Sequence, residues 1–185
     1  MMQLFKYVML LVILVTPTVI EAKQKHHRKK DISKIKKQKE LVNVINETEK
    51  KYKLPKNVLT ALIQHESSFN TKAVNANNYG LGQITYPTAK RFCFIRSKKE
   101  LFHDHTNINC TARILRRHMD EYGGLYPALT AYRAGSPCKQ RFSKRTRICN
   151  SVDTKYVTGV LKKLKNIREK SKLAALGDET EGEDG

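Results

Sequence analysis

An apolar helical stripe that ends on a carboxyl group constrains this chain more than any other feature of its sequence. Four residues stand at relative positions 0, 3, 4 and 7 and therefore share one helix face: Leu59, Leu62, Ile63 and Glu66. Pro55 suits the first turn of this helix, because its fixed φ fits there and its missing N–H is not needed. A carboxyl group on an apolar face must find a partner or keep its proton. The pattern alone leaves two interpretations open: a helix-ending side chain that reaches solvent, or a protonated Glu66 that acts as a general acid.

A polar loop with two glycines follows this helix. Asparagine tolerates the left-handed backbone conformation, so residues 75–78 are predicted to form a turn. Gly80 and Gly82 allow another group to approach the backbone closely. The loop is therefore either a tight connection between helices or one wall of a ligand groove.

Several short sequence elements resemble the signature of the SLT-domain lytic transglycosylases, a family with a goose-type-lysozyme-like fold. In order along the chain they are ESSFN at 66–70, GLGQI at 80–84, PTA at 87–89, AYRAG at 131–135 and YV at 156–157. Their order and rough spacing match the family over residues 41–164. Arg133 replaces the usual asparagine, and Gly82 stands where methionine is common, so these two positions affect subsite specificity more than the reaction.

The resemblance implies a mainly α, lysozyme-like single catalytic domain with a substrate groove. It implies that Glu66 protonates the glycosidic oxygen between N-acetylmuramic acid (MurNAc) and N-acetylglucosamine (GlcNAc) in peptidoglycan, without a cofactor. Tyr132 would hold or orient the acid or the substrate, and Gln83 would contact an N-acetyl sugar. The remaining implied substrate-binding residues are Ser67, Asn75, Gly80 and Tyr156.

Glu66 is the only acid of the domain that its sequence context marks out. The other acids are predicted to lie in ordinary solvated positions: Glu47, Glu49, Asp120, Glu121, Asp153 and Glu169. Common glycosidases use two carboxylates, whereas the lytic transglycosylases that this chain resembles need one. Glu66, once deprotonated, would take the proton of the muramic 6-hydroxyl, which closes a 1,6-anhydro ring. The alternative is a lysozyme of the same fold that hydrolyses the bond with water.

Helical periodicity dominates the rest of the chain, and no strand alternation of any length is present, which predicts a mainly α fold. We predict four segments: a signal peptide over 1–22, a basic linker arm over 23–40, the catalytic domain over 41–170 and an acidic disordered tail over 171–185. Both tails are predicted to be flexible, because they hold too few apolar residues to build a core.

The net charge indicates affinity for polyanions. The chain has 36 Lys and Arg against 17 Asp and Glu, a formal charge of +19. Such a charge attracts nucleic acid, anionic membrane or acidic cell wall. The basic arm is either a solvated linker or an electrostatic tether to such a surface. A non-enzymatic basic polyanion-binding protein is thus a second functional class, although no nucleic-acid-binding motif is present and nucleic acid is not an expected partner.

The N-terminal segment has the features of a secretion signal. Lys6 supplies a positive start, residues 8–15 form an uncharged apolar run, Pro17 is predicted to break the helix, and 20–22 is a cleavage site. The uncharged stretch over 7–20 is short for a membrane span. We therefore expect export to the periplasm or the extracellular space, with no membrane span after cleavage, and an uncleaved anchor is the alternative. The expected partners are peptidoglycan glycan strands, and a further hypothesis adds components of a secretion or conjugation machine.

Four cysteines in an exported chain indicate disulfides. Three pairings are possible, and the short spacings favour Cys138 with Cys149 and Cys93 with Cys110. The first pair would close a basic loop over 139–148, which is either a solvated surface loop or a device for acidic substrate strands. No cluster of Cys or His has the spacing of a metal site, so no metal is predicted.

Overall fold

A computed structural model of the chain describes residues 2–139, 147–148 and 150–180, and the side chains of 1–23, 30, 31, 34, 138–149 and 175–185 lie outside that description. The chain divides into two compact units, residues 1–41 and residues 42–185. The described residues of the first unit are helical. The sheet, the disulfide and the candidate site described below all belong to the second unit.

Helices make up most of the described chain, in agreement with the predicted mainly α class. The α-helices are α1 Met2–Lys51, α2 Val58–Ser67, α3 Tyr86–Cys93, α4 Asp104–Tyr122, α5 Leu125–Ala134 and α6 Ser151–Thr180. A 3₁₀ helix occupies Lys98–Phe102. In the second unit α2 packs on α6, while α5 packs on both α4 and α6.

Helix α2 buries the stripe that the sequence predicts. Leu59, Leu62 and Ile63 are fully buried, so this helix is anchored by its apolar side. The helix begins at Val58 and not near Pro55, whose carbonyl accepts a hydrogen bond from the Val58 N–H at 3.1 Å. The position of the proline therefore differs from the prediction: it belongs to the turn before the helix.

Glu49 of α1 caps the start of α2. Its Oε2 accepts a hydrogen bond from the Asn57 N–H at 2.8 Å, and its Oε1 accepts from the N–H groups of Leu59 and Thr60 at 2.7 and 3.2 Å. The first N–H groups of a helix have no partner within the helix and need such acceptors. Glu49 is 4% exposed, and burial raises its pKa although these hydrogen bonds oppose the rise. The expectation that Glu49 and Asp153 lie in solvated positions is wrong, since both are buried.

Short strands follow α2 and form a three-stranded antiparallel sheet. Strands β1 Val74–Asn75, β2 Asn78–Tyr79 and β3 Ile84–Thr85 lie in that order. Sequence analysis predicts a turn here but no strands, because two residues are too few to show an alternation of side chains. A separate parallel pair joins β4 Cys138–Lys139 to β5 Arg147–Ile148.

A compact apolar cluster supports the sheet, and a disulfide reinforces it. The cluster consists of Ile84, Ala89, Ile95, Leu101, Cys110 and Ile114. Cys93 and Cys110 are disulfide-bonded with their Cα atoms 5.5 Å apart, which joins α3 to α4 and confirms this predicted pair. The predicted Cys138–Cys149 pair and the basic loop between them lie outside the described side chains.

Helical structure extends further toward both ends than the sequence predicts. Helix α1 continues through Pro17, where a break is predicted, and across residues 23–40. Lysine, glutamate and glutamine favour helices, so this composition accommodates helix even without a core. The described side chains of 24–40 are exposed, and a helix that lacks packing is only marginally stable by itself. Helix α6 ends at Thr180, inside the segment predicted to be a disordered tail.

None of the helices in the described part of the chain combines the length and the apolar character needed to cross a membrane. The bounds of the four predicted segments, including the signal peptide, stay predictions.

Candidate active site

A cleft of about 860 Å³ opens in the second unit. Side chains from five helices and the small sheet line it, among them Glu66 of α2, Arg91 of α3, His118 of α4, Tyr132 of α5, Tyr156 of α6 and Gln83 beside the sheet. These residues are far apart in sequence, so the cleft exists only when the helices have packed.

Glu66 lies in the last turn of α2 and faces two opposing influences. Burial of its carboxyl group raises the pKa to about 7. The Tyr156 hydroxyl donates a hydrogen bond to its Oε1, and the positive charge of Arg133 lies nearby; both lower the pKa. Burial prevails, because it removes the charged form from water. The outcome is a carboxyl group that can both give and take a proton near neutral pH.

Tyr156 reaches Glu66 from α6, across a separation of 90 residues. Its ring packs edge-to-face on the His65 ring, with the centroids 4.9 Å apart. Gly159, about one turn further along α6, contacts the same imidazole. A Cβ atom at that position would lie 2.6 Å from His65 Cε1, well inside van der Waals contact. Glycine therefore permits the close approach of α2 and α6 that brings the hydroxyl to the acid.

An ion pair with a buried aspartate holds Arg133 beside the acid. Its Nη1 lies 3.1 Å from Oδ1 of Asp153, whose side chain is fully buried. Its Cζ is 5.9 Å from the centroid of the Tyr156 ring. Asp153 lies in the first turn of α6 and also accepts a hydrogen bond from the N–H of Asn150, the residue before that helix, at 3.2 Å. The pair thus holds a cation next to the carboxyl group without neutralising that group directly.

Asn107 of α4 organises the loop between β2 and β3. Its Oδ1 accepts a hydrogen bond from the Gly82 N–H at 2.7 Å, and its Nδ2 donates to the carbonyls of Tyr79 and Leu101 at 3.0 and 2.8 Å. At Gly80, whose φ is +71°, a Cβ atom would lie 2.3 Å from this amide nitrogen. The side-chain amide of Asn107 therefore supplies hydrogen bonds that hold this loop, and the glycine at position 80 leaves room for that amide.

Tyr132 of α5 holds the same loop from the other side. Its hydroxyl donates to the Gly82 carbonyl at 2.7 Å. A Cβ atom at Gly82 would lie 1.9 Å from Thr111 Oγ1 and 2.9 Å from the Tyr132 hydroxyl. These contacts explain why this chain has glycine at position 82: the space for a side chain is already filled.

The model of the transglycosylase SLT domain family matches residues 43–151, which is more than half of the chain. The chain belongs to that family. It is 30% identical over 114 residues to protein IpgF of Shigella flexneri, and equally to protein IpgF of Shigella sonnei. Each of these matches covers 58% of this chain and 74% of the relative.

Solved structures show the same fold. An inactive mutant of the lytic transglycosylase Slt from Pseudomonas aeruginosa aligns with a TM-score of 0.59 at 23% identity, over 66% of this chain and 23% of that chain. A complex of the 70-kDa soluble lytic transglycosylase with bulgecin A aligns with a TM-score of 0.57 at 18% identity, over 69% of this chain and 24% of that chain. The lysozyme-like fold expected from the sequence is confirmed, and the chain spans about a quarter of these solved proteins.

Within this family fold, four predicted residues line the cleft together with Glu66: Asn75, Gln83, Tyr132 and Tyr156. Their contacts differ from the expected ones in one respect, because Tyr156 and not Tyr132 hydrogen-bonds the acid. The amide nitrogen of Gln83 donates to the carbonyls of Ala73 and Gly80 at 3.2 and 2.9 Å. No described residue donates a hydrogen bond to its Oε1.

The structure does not bring Ser67 and Gly80 to the cleft wall. The Ser67 hydroxyl donates to the Ile63 carbonyl of its own helix at 3.3 Å, a common local bond for serine in a helix. Gly80 is buried, and the group that approaches its backbone is Asn107.

Sequence reasoning missed three side chains that build the site: Asn107, Asp153 and His118. Asparagine, aspartate and histidine are ordinary surface residues by composition, and nothing in their immediate sequence marks them as buried. Asn107 lies on α4, and only the packed loop shows that its amide binds the Tyr79 carbonyl. Among the described residues, no three His, Cys, Asp or Glu side chains come together as a metal site would require.

Proposed function

We propose that this protein is a peptidoglycan lytic transglycosylase that cleaves the β-1,4 bond between MurNAc and GlcNAc and forms a 1,6-anhydro-MurNAc end. One observation carries the proposal: the glutamate of the family signature, Glu66, is a buried carboxyl group with a pKa of about 7 in a cleft that can hold sugars. A carboxyl group in that state serves as acid and then as base without a second carboxylate.

The proposed reaction has two proton transfers. Protonated Glu66 donates its proton to the glycosidic oxygen, the bond from that oxygen to C1 of MurNAc breaks, and GlcNAc leaves as an alcohol. The N-acetyl carbonyl of MurNAc stabilises the positive charge that develops at C1. The Glu66 carboxylate then accepts the proton of the C6 hydroxyl while O6 bonds to C1. The ring is closed, no water is consumed, and Glu66 is protonated again.

The neighbours of Glu66 suit this sequence of events. The Tyr156 hydroxyl donates to the carboxylate that exists between the two transfers, and a charge-assisted hydrogen bond of this kind is stronger than a neutral one. Arg133 adds a positive charge that favours the same state. The free Oε1 of Gln83 offers an acceptor for the N–H of an N-acetyl group in the cleft.

Hydrolysis is the second candidate, because another acid lines the cleft. Glu121 is the other carboxylate among the described cleft residues, and it is exposed. An inverting hydrolase would need such a group as the base for water, about 6.5–9.5 Å from the acid. Replacing Glu121 therefore separates the two mechanisms.

Digestion of purified peptidoglycan followed by mass spectrometry of the fragments tests the proposal. We expect ends that lack one water, at least about 10²-fold loss of rate in Glu66→Gln, and retained activity in Glu121→Gln. Gln is nearly isosteric and cannot donate the proton, so circular dichroism should show an unchanged fold. Ends that carry the extra water, together with an inactive Glu121→Gln variant, would establish a lysozyme instead.

We also infer that the protein works outside the cytoplasm, in the periplasm or the extracellular space, where its proposed substrate is found. The apolar run over 8–15 and the site at 20–22 support export. Mass spectrometry of the mature protein tests the cleavage, which gives an N-terminus at Lys23, whereas an intact Met1 indicates the uncleaved anchor. Recovery of the protein in the cytoplasmic fraction would contradict export. A role in opening the wall for a secretion or conjugation machine remains a hypothesis.

A further inference from the structure

The wall of the cleft formed by α3 and α4 has no task in the reaction described above. Four of its side chains make up what we call the basic wall: Arg91, Phe92, Arg117 and His118. Arg91 and Phe92 are consecutive on α3, and Arg117 and His118 are consecutive on α4. Packing of α3 on α4 therefore brings two cations, one aromatic ring and one imidazole to the same side of the cleft.

Both guanidinium groups lie against the same ring. The Cζ atoms of Arg91 and Arg117 are each 5.2 Å from the centroid of Phe92. Among the described residues, no carboxylate lies within 4 Å of either guanidinium group. A cation–π contact orients a guanidinium group but leaves its charge and its N–H donors in place. Two guanidinium groups that one ring orients thus line a concave surface.

His118 completes the basic wall with a buried imidazole ring. It is 7% exposed, stacks on Tyr122 with the ring centroids 5.6 Å apart, and lies edge-on to Phe92 at 5.9 Å. Its Nδ1 makes no hydrogen bond with any described residue. Because Nδ1 is enclosed, His118 contributes packing between the two aromatic rings and not a direct contact with a ligand. Burial lowers the pKa of His118, so the ring is neutral at pH 7 and adds no charge to the basic wall.

We propose that the basic wall is a carboxylate-binding subsite that takes the acidic stem peptide attached to MurNAc in an intact glycan strand. The proposal rests on the proposed function, because that function puts peptidoglycan in the cleft. Guanidinium groups bind carboxylates with two parallel hydrogen bonds, and two adjacent ones suit a peptide with more than one acid. Glu121 of α4 also lines the cleft next to the basic wall, and its carboxylate disfavours a ligand that carries negative charge along its whole length.

The subsite makes the enzyme prefer strands that carry stem peptides over strands from which an amidase has removed them. Kinetics on these two substrates test it in Arg91→Gln and Arg117→Gln. The matched controls are Lys90→Gln and Arg116→Gln, which remove one charge from the neighbouring position on each helix, away from the cleft wall. Arg116 pairs with the exposed Asp120, so its loss should matter little.

We expect each of the two wall variants to lose about 10-fold in kcat/KM on peptide-bearing strands, with little change on bare strands. The control variants should match the wild type on both. Equal losses on the two substrates would mean that the wall binds the sugar chain or acts through overall charge, and would overturn the proposal. Unchanged kinetics on peptide-bearing strands would overturn it as well.

A binding measurement separates this proposal from the proposed function. The inactive Glu66→Gln variant is titrated with a MurNAc-containing muropeptide, with the same compound after its carboxyl groups have been amidated, and with the disaccharide alone. We expect the free-acid muropeptide to bind most tightly, and Arg117→Gln in this background to remove the advantage. Equal affinity for the acid and the amide refutes the subsite even if the enzyme forms anhydro ends. Selective binding of the acid supports the subsite even if the wild type forms no anhydro ends, in which case only the proposed reaction fails.

Discussion

At the scale of single residues, the chemistry depends on one carboxyl group, that of Glu66. Burial and the neighbouring groups shift its pKa in opposite directions. The sequence places Glu66 on the apolar side of α2, and burial there raises the pKa to about 7. The two groups that lower the pKa, Tyr156 and Arg133, come from α6 and α5. The burial could be predicted because it follows from local helical spacing. The hydrogen bond could not, because its donor lies 90 residues away.

Tyr156→Phe tests how the hydrogen bond from Tyr156 affects the pKa of Glu66. The phenyl ring keeps the edge-to-face contact with His65 but cannot donate to Glu66. Because this hydrogen bond lowers the pKa of Glu66, its loss should raise that pKa further and move the high-pH limb of the kcat profile to higher pH. The carboxylate between the two proton transfers also loses its donor, so kcat at the optimum should fall about 10-fold. A pH–rate profile checks both effects, and an unshifted limb would show that Tyr156 only packs.

The same shifted pKa makes stability depend on pH. The pKa of Glu66 rises on folding from about 4.5 to about 7, so between these values the native state binds more protons than the unfolded state. The contribution of Glu66 to the free energy of unfolding is therefore fully present below pH 4.5 and is lost as the pH rises to about 7. Glu66→Gln lacks this titration and should be more stable than the wild type above pH 7, by up to about 3 kcal/mol.

Urea unfolding of the two proteins at pH 5, 6, 7 and 8 measures this difference. Glu49, whose pKa burial also raises, is present in both proteins and cancels in the comparison. The difference should grow from pH 5 to pH 7 and then level off. A difference that is constant across the series would mean that the carboxyl group titrates as in water.

At the scale of secondary-structure elements, the site depends on how α2 is held at both ends. Glu49 caps its N-terminus from α1, and Gly159 of α6 packs against His65 near its C-terminus. The glycine caps of α4 and α5, Gly123 and Gly135, follow from the sequence because left-handed residues at helix ends favour glycine. The contacts of Glu49 and Asn107 could not be predicted from the sequence, because their partners are backbone groups of other elements.

Gly159→Ala tests the contact between α2 and α6. Alanine favours helix by about 1 kcal/mol over glycine, so local preference alone predicts stabilisation. The new Cβ would lie 2.6 Å from His65 Cε1, so the imidazole must move, and Tyr156 packs on that ring. We expect a net loss of about 1–3 kcal/mol and a lower kcat.

Thr158→Ala is the matched control, since Thr158 is an exposed neighbour on the same helix. Thermal melting and turnover of both variants provide the measurement. A Gly159→Ala protein with wild-type stability and activity would show that α2 and α6 can separate without disturbing the acid.

At the scale of the whole molecule, the charge of +19 is distributed unevenly along the chain. Residues 23–40 hold nine Lys or Arg and two acids, whereas residues 177–185 hold five acids and no base. The sequence predicts this polarity fully, since it needs no packing. What the sequence does not predict is the basic wall, because Arg91 and Arg117 look like ordinary surface arginines until α3 and α4 meet.

The basic arm is predicted to help the protein capture its polymeric substrate. Removing residues 23–39 should weaken adsorption to peptidoglycan sacculi at low salt and leave the turnover of short soluble glycans unchanged. Attraction between exposed charges is screened over about 10 Å at 0.1 M salt, so it assists capture of a large polyanion and not the breaking of a bond.

A variant with the arm's basic residues replaced by Gln keeps the length and serves as the matched control for charge. Sedimentation with sacculi across a salt series should show both variants weaker than the wild type at low salt and equal to it at high salt. Equal binding of all three proteins at every salt concentration would leave the arm as a linker, and weak binding of the deletion alone would assign the effect to its length.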